Sequence, residues 1–456
     1  MHYCKTRVVD APMAAGKTTK LIKWIKEVHS YHPVIVLVER NSEVDRLKEA
    51  LGDLVVSIKD EAENKGSRKI DVLNEHVADG NTVVSTHALM EYWDEGFLEN
   101  VQFHKYELVI DESLSHVLEP IKIASRDIKI FLEDKRLIVQ KENKYSRLTV
   151  SKEDSEGWCL PEGYKNLERK ILNKCVYLQE KEKENANGAK EYILIEAMNP
   201  EIWSYFNQVL LMTYLFKGSV MEYYFQLHNI KYIPMGLSPD GQFVNHEIIN
   251  GERYRPLVTI LDSYNNWDRY KDRKRTYRDG LSVNWCEHEA KGKNRLKMIQ
   301  KKLRNTFEYL QRTQGITKED FAFTFHKKFL KDIRCSHVGV LRDINKFWDD
   351  KNRHNMTEKD IRNITFLPQT LRGTNMWSHK KVMCYLSNTH LHGSISSFLQ
   401  GKGVDIDNDV FALSQMIQWI FRGCIRNGER MTVWIPCQRM RHLFLKWLGY
   451  SEAELF

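Results

Sequence analysis

The stretch that decides the fold reads VVDAPMAAGKTTKLIKWIKEV, Val8 to Val28. An apolar pair, Val8 and Val9, is followed by a turn of small residues, then by Gly16-Lys17-Thr18, then by Leu21, Ile22, Ile25 and Val28 at helical spacing. That order is strand, tight turn, helix. In such a turn backbone N–H groups and a helix N-terminus face phosphate oxygens, the lysine reaches the β and γ oxygens, and the threonine hydroxyl holds Mg²⁺. Ala15, Gly16, Lys17, Thr18 and Thr19 are the expected nucleotide contacts, with Lys17 acting on the transferring phosphoryl group and Thr18 on the metal. Five residues before Gly16 stands Ala11, where a strict phosphate-loop pattern has glycine.

Outward from this stretch, short apolar runs alternate with amphipathic segments as far as Ile110. VIVLVE (Val34–Glu39) precedes SEVDRLKEAL, in which Ser42 is placed to cap a helix with Val44, Leu47 and Leu51 on its apolar side. TVVST (Thr82–Thr86) leads into HALMEYW, and YELVID (Tyr106–Asp111) reads as another buried strand. Strands alternating with helices imply a parallel sheet covered on both faces. The pattern loosens over about residues 120–200, where CVYLQ and EYILIEA flank a polar loop with Asn187-Gly188, a hairpin signature. A second half brings candidate strands LVTILD, FAFTF, KVMCYL and MTVWIP, with helices over Arg295–Thr313 and Leu413–Arg426. The expected architecture is α/β, with two tandem parallel-sheet lobes, residues 1–225 and 226–456, and an insertion in or after the first.

A nucleotide loop needs a metal partner, and the strand ending in Asp111-Glu112 supplies one. Asp111 would hold Mg²⁺ and Glu112 would orient or deprotonate the attacking water. At the far end, QWIFRGCIR spaces Gln418, Arg422 and Arg426 four residues apart, which on a continuous helix is one face. A Gln and two arginines beside an apolar face suit a triphosphate, whose transferring group guanidinium charge stabilises.

The composition fits a globular chain with 42% hydrophobic and 29% charged residues. Net charge is mildly basic at +8, from 69 Lys plus Arg against 61 Asp plus Glu. No apolar run is long enough to span a bilayer and no apolar leader precedes Val8, so a cytoplasmic protein without membrane partners is expected. The eight scattered cysteines form no CxxC pair and read as reduced thiols, and Cys286 with His288 lacks further ligands nearby for zinc.

Taken in order, these stations resemble the superfamily 2 helicases. APMAAGKT is similar to their motif I, in which alanine is usual at the first position, and VIDES to motif II in its DExx form. VERNSEVDRL and VVSTHAL sit where motifs Ia and Ib belong, which assigns Arg40, Thr86 and His87 to nucleic acid by resemblance. LLMTYLF resembles motif III, making Thr213 a coupling residue. LRGTN resembles motif V, giving Arg372 and Thr374 to the strand and Gly373 to the nucleotide. QWIFRGCIR resembles motif VI, in which the second arginine usually falls seven residues after the Gln; here that position is Ile425, so Arg422 and Arg426 stand as equal candidates for the finger.

The resemblance implies two RecA-like lobes, ATP with Mg²⁺, and a nucleic-acid-stimulated ATPase acting as a helicase or translocase. No adenine-reading Gln motif precedes Val8, which leaves strictness for ATP open. APMAAGKTTKLIKW is also similar to herpesvirus origin-binding helicases and bacteriophage replication proteins. That implies DNA rather than RNA, single-stranded or duplex, in replication or recombination, with other replication proteins as partners and a bacterial host cytoplasm as the location. Basic residues are dense over about 267–304: Arg269 to Arg278 in one run, then Lys291, Lys293, Arg295, Lys297, Lys301, Lys302 and Arg304. Trp267, Tyr270, Tyr277 and Trp285 interleave with them, which suits stacking on the bases of a strand; the alternative is a solvated helix face and an exposed loop. An alternative output for the same motifs is an origin- or structure-binding protein that uses ATP as a switch. A single-lobe phosphate-loop kinase leaves Arg372 to Arg426 without a role.

Overall fold

The computed structural model describes the chain apart from residues 1–4, 13–14, 115, 143–144, 152–158, 174, 181–191, 239, 241, 246–249, 262–279, 289–291, 336–338, 343–355, 371–375 and 452–456. The chain divides into two compact units, Met1–Glu247 with Leu391–Asn408, and Ile248–His390 with Asp409–Phe456.

In the first unit, β1 (Lys5–Asp10), β2 (Val34–Val38), β3 (Val56–Ser57), β4 (Val83–Thr86) and β5 (Glu107–Asp111) are the apolar runs of the sequence. All five residues of β2 are buried, because helices cover both faces of the sheet. An insertion follows: β6 (Leu118–Ile121), β7 (Leu137–Glu142), β8 (Tyr145–Val150), β9 (Cys175–Glu180) and β10 (Tyr192–Ala197). The chain then returns to the first sheet with β11 (Gln208–Thr213), β12 (Tyr232–Leu237) and β13 (Phe243–Asn245). The first sheet runs β13-β12-β1-β11-β5-β2-β4-β3, parallel except for the outermost pair β12–β13. The helix Lys17–Val28 buries Lys17, Leu21, Trp24 and Ile25, one stripe at helical spacing, against this sheet.

The insertion is a separate antiparallel sheet, β6-β10-β9-β8-β7. Ile128 and Phe131 of one helix and Leu167 and Ile171 of another close a small core over Val176, Leu178 and Leu194. β9 and β10 pair as the hairpin expected from their sequence, while its Asn187-Gly188 turn lies outside the described residues. The segment Leu391–Asn408 belongs to this unit: Phe398 stacks on Tyr177 of β9, ring centroids 5.6 Å apart, and the Tyr223 hydroxyl pairs with the Asp407 backbone.

The second unit is built on a four-stranded parallel sheet of β14 (Val258–Ile260), β15 (Phe321–Thr324), β16 (Val382–Tyr385) and β17 (Met431–Trp434), in the order β14-β17-β16-β15. Trp377, Trp419, Trp434, Phe321, Phe323 and Phe366 are among its fully buried large side chains. The basic helix extends over Gly292–Gln314, with Leu296, Ile299, Leu303, Phe307 and Leu310 facing inward.

Three local expectations change. Ser42 does not cap the helix after β2: that helix spans Asn41–Leu51, and Arg40, in an extended conformation, is its N-cap. β12 and β13 lie beyond residue 225 yet complete the first sheet, because β12 pairs directly with β1. The helix expected over Leu413–Arg426 spans Asn408–Ile420 and stops there.

Candidate nucleotide site and arginine turn

The parallel strands β1, β11, β5, β2 and β4 end on one edge of the first sheet, the edge where open α/β sheets bind ligands. β1 delivers Asp10 and Ala11 there. The loop between Ala11 and Lys17 is closed by Gly16, whose φ of +80° is a conformation that glycine adopts without a steric penalty. An added Cβ at Gly16 would meet no atom within 4 Å, so this side of the turn is open. The first turn of the helix Lys17–Val28 contains no acidic residue and no side-chain cap, which leaves its positive end available to an anion. Lys17 is buried and its Nζ donates to the carbonyls of Ala11 at 2.7 Å and Pro12 at 3.2 Å. Ala15 and Thr18 are half-buried, and Thr19 is exposed.

β11 separates β1 from β5 and ties both loops down. The Ala11 amide donates to the Thr213 carbonyl at 3.0 Å, and the Glu112 amide to the Met212 carbonyl at 2.8 Å. The Asp10 carboxylate accepts from the Leu215 amide at 2.7 Å and the Phe216 amide at 3.0 Å, bracing the loop after Thr213. Sequence reasoning passed over Asp10; the signal was a lone acid at the end of an apolar strand. Thr213 is fully buried, and its hydroxyl has no hydrogen-bond partner among the described residues.

Burial and the adjacent Glu112 raise the Asp111 carboxyl from 3.8 to about 7, with Lys17 pulling it back down. Glu43 adds to the rise and Arg46 opposes it. Lys17 and Asp111 are thus electrostatic neighbours, although 94 positions separate them in the chain (111 − 17). Glu112 sits at φ +75°, a left-handed conformation for a non-glycine residue. On the same sheet edge, Arg40 follows β2, while Thr86 ends β4 and His87 opens the 3-10 turn after it; all three are half-buried.

The residues present fit a Mg²⁺-nucleotide: an uncapped helix N-terminus, an open glycine turn, a lysine held on replaceable carbonyls, and a carboxyl whose ionisation lacks sufficient local positive charge. The structure brings Gly16, Lys17, Thr18, Asp111, Glu112 and Thr213 onto one edge.

In the second unit the arginine row takes a different form. Gln418 is buried on the helix Asn408–Ile420, and its Nε2 donates to the Ser414 hydroxyl at 3.3 Å. Arg422 is buried in a turn beyond the helix end, its amide donating to the Trp419 carbonyl at 3.0 Å. Arg426 is half-buried in the 3-10 segment Cys424–Asn427. Gln418, Arg422 and Arg426 therefore do not share one helical face: the helix ends at Ile420, and Gly423, with ψ −170°, redirects the chain.

Lys297 and Lys301 are exposed on the helix Gly292–Gln314, with Lys293 four residues earlier on the same face; Lys302 is half-buried beside them. Trp285 is already covered on one face by the Arg295 guanidinium, 4.6 Å from its ring centroid. Arg372, Gly373, Thr374 and the run Arg269–Arg278, with Trp267, Tyr270 and Tyr277, lie outside the described residues. No described helix is long and apolar enough to cross a membrane.

Residues 252–448 match the family described as the YonV C-terminal Rossmann-like domain. Over 451 residues the chain is 26% identical to the SPbeta prophage-derived protein YonV of Bacillus subtilis (strain 168), covering 97% of this chain and 98% of that one. Among solved structures, S. tokodaii Xpd4 shares the fold, with a TM-score of 0.52 at 14% identity over 99% of this chain and 95% of that chain. The DUF1998 helicase MrfA, solved bound to DNA and AMPPNP, aligns at a TM-score of 0.34 and 11% identity over 98% of this chain and 49% of that one.

Proposed function

We propose that this chain is a nucleic-acid-stimulated NTPase that acts as a helicase or translocase. The observation that carries the reading is the convergence of Lys17 and Asp111 at the carboxyl edge of the first sheet, with Thr213 between their strands. Ala15 to Thr19 grip the triphosphate, and Lys17 exchanges the Ala11 and Pro12 carbonyls for phosphate oxygens when nucleotide enters. Bound through Thr18 and Asp111, Mg²⁺ would neutralise charge on the β and γ phosphates. Glu112 orients and deprotonates the attacking water. Gln418, Arg422, Arg426 and Gly373 complete the nucleotide contacts, with one of the two arginines stabilising charge on the transferring phosphoryl.

Arg40, Thr86, His87, Lys297, Lys301, Lys302, Arg372 and Thr374 hold the nucleic-acid strand, and Thr213 couples strand contact to hydrolysis. The prophage derivation of YonV supports a phage-encoded protein; action on DNA in replication or recombination, alongside other replication proteins in the host cytoplasm, is the further part of this proposal.

The test is ATP turnover by the purified chain with and without single-stranded DNA, followed by displacement of an annealed strand. DNA-stimulated turnover with displacement is the expected result. Turnover without displacement assigns the switch output instead, and absence of any turnover overturns the reading.

A further inference from the structure

The turn carrying Arg422 and Arg426 rests on the segment Trp377–Lys380, just before β16. The Cys424 amide donates to the Lys380 carbonyl at 2.9 Å, and Asn427 Nδ2 donates to the Ser378 carbonyl at 3.2 Å. Gly423 lies flat on this platform. A Cβ added there would fall 2.8 Å from the Lys380 carbonyl oxygen and 2.5 Å from Met431 Cε, closer than packed atoms allow. Glycine is required here for space, since its φ of −82° is open to any residue.

The platform is itself pinned from below by one side chain. Lys380 is fully buried, and its Nζ donates to the Arg362 carbonyl at 2.8 Å and to the Lys318 carbonyl at 3.1 Å. The Arg362 carbonyl belongs to the last residue of the helix Glu358–Arg362, and Lys318 precedes β15. The Lys380 amide is also held, donating to the Trp377 carbonyl at 2.9 Å. One lysine thus joins three chain segments, and its own carbonyl is the seat of the arginine turn. A lysine sealed from water is an expensive choice for packing alone, because its ammonium loses hydration. A methionine would fill the same space without that penalty.

We propose that Lys380 is a positioning residue for hydrolysis: through its carbonyl and its two side-chain bonds it fixes where the Arg422–Arg426 turn sits. Gly423 is the complementary half of the device, the one residue small enough to let the turn touch that carbonyl. The inference rests on the nucleotide-hydrolysis reading above. It assigns Lys380 no contact with nucleotide; its effect passes through the arginines.

The experiment compares the full-length parent with Lys380→Met, Gly423→Ala and Lys381→Ala. Lys381 is the control for charge beside the turn: it is exposed, its ion pair is with Asp320, and it reaches Cys424 and Glu429 only through space, without a hydrogen bond to the turn. For each protein, the folded fraction at the assay temperature is taken from its thermal melt, and kcat and KM for ATP are measured per folded molecule with single-stranded DNA present. Misplacing a charged group by about 1 Å costs on the order of 10²-fold in rate, so Lys380→Met and Gly423→Ala should each lower kcat about 10²-fold. KM should stay near the parent value, since Gly16, Lys17 and Thr18 are untouched, and Lys381→Ala should match the parent. A purely structural Lys380 would lower thermal stability and the folded fraction but leave kcat per folded molecule unchanged, and that result overturns the inference. If Lys380→Met does not fold, Gly423→Ala decides by the same criterion. A parent with no ATP turnover overturns the underlying reading and the inference with it; an active parent with unchanged kcat in the variants overturns the inference alone.

Discussion

Asp111→Asn should stabilise the metal-free protein above neutral pH, although it removes a side chain the candidate site needs. Burial and Glu112 raise the folded Asp111 carboxyl from 3.8 to about 7. In the unfolded chain it returns to its ordinary value. Between these two values the folded state binds more protons than the unfolded state, so stability falls as pH rises through the window and the loss is complete above about pH 7. Taken in full, the displacement from 3.8 to about 7 corresponds to roughly 4 kcal/mol. The residue is half-buried rather than sealed, and screening by solvent halves the expected effect to about 2 kcal/mol. Asparagine keeps the shape and carries no charge at any pH. The assay is urea unfolding of parent and variant in chelator at pH 4.5 and pH 8. The variant should gain about 2 kcal/mol on the parent between those two conditions. Saturating Mg²⁺ and nucleotide should then stabilise the parent more than the variant, since only the parent retains the metal-binding carboxylate. A parent–variant difference that is flat from pH 4.5 to pH 8 refutes the reasoning.

Other outcomes follow from the same geometry. Lys17→Ala should abolish ATP turnover and lower the thermal midpoint of the first unit modestly, because the buried Ala11 and Pro12 carbonyls lose their donor; parent-level turnover in this variant refutes the phosphate grip. Glu112→Gln should bind nucleotide and fail to hydrolyse it, measured by equilibrium affinity and turnover together, and a loss of binding would assign Glu112 a structural job. Replacing Lys293, Lys297 and Lys301 by Ala should reduce the log–log salt slope of single-strand binding by about 0.7 per lost phosphate contact, and an unchanged slope places the stripe on an ordinary solvated face. Arg422→Ala and Arg426→Ala, made separately, should identify one finger by a loss of about 10³–10⁵ in DNA-stimulated turnover with nucleotide binding retained; if both keep the parent rate, neither arginine serves hydrolysis.

The sequence carried the parallel sheets because their strands are local and buried on both faces. VIVLV and ELVID are apolar without interruption, and such runs have few other uses in a chain of this composition. The phosphate loop was equally legible, since strand, small-residue turn and helix are consecutive. What escaped depends on contacts distant in sequence. β12 reads YIPMGL, with Pro234 and Gly236 inside it, and becomes a strand only because β1 lies beside it. The helix before Arg422 ends at Ile420 because Cys424 docks on Lys380, 44 positions earlier (424 − 380), and helical periodicity contains no trace of that bond. Four-residue spacing in QWIFRGCIR predicted a shared face, and Gly423 was the overlooked stop signal. Lys380 carried no sequence signal at all: a lysine before an apolar strand ordinarily faces water.

A raised carboxyl does not by itself mark the working end of the first sheet. Glu107, at the opposite end of β5, is also pushed up by burial. It differs in what surrounds it. Asn207 donates to Glu107 Oε1 at 3.3 Å, and the residue sits where β5 begins, at the other end of the strand from Asp111. At the other end of the same strand, three unfavourable features occur together: a raised carboxyl at Asp111, a left-handed Glu112, and a buried Thr213 hydroxyl with no partner among the described residues. A left-handed non-glycine residue costs on the order of 1 kcal/mol, and a buried hydroxyl without a bond costs roughly 1–3 kcal/mol. Packing alone gives no reason for these to converge beside an uncapped helix N-terminus. A bound cation with phosphate oxygens would compensate the carboxyl charge and satisfy the helix amides at once. The site is therefore selected by the coincidence of separate costs on one sheet edge, where the carboxyl charge and the open helix amides have the same ligand as their remedy.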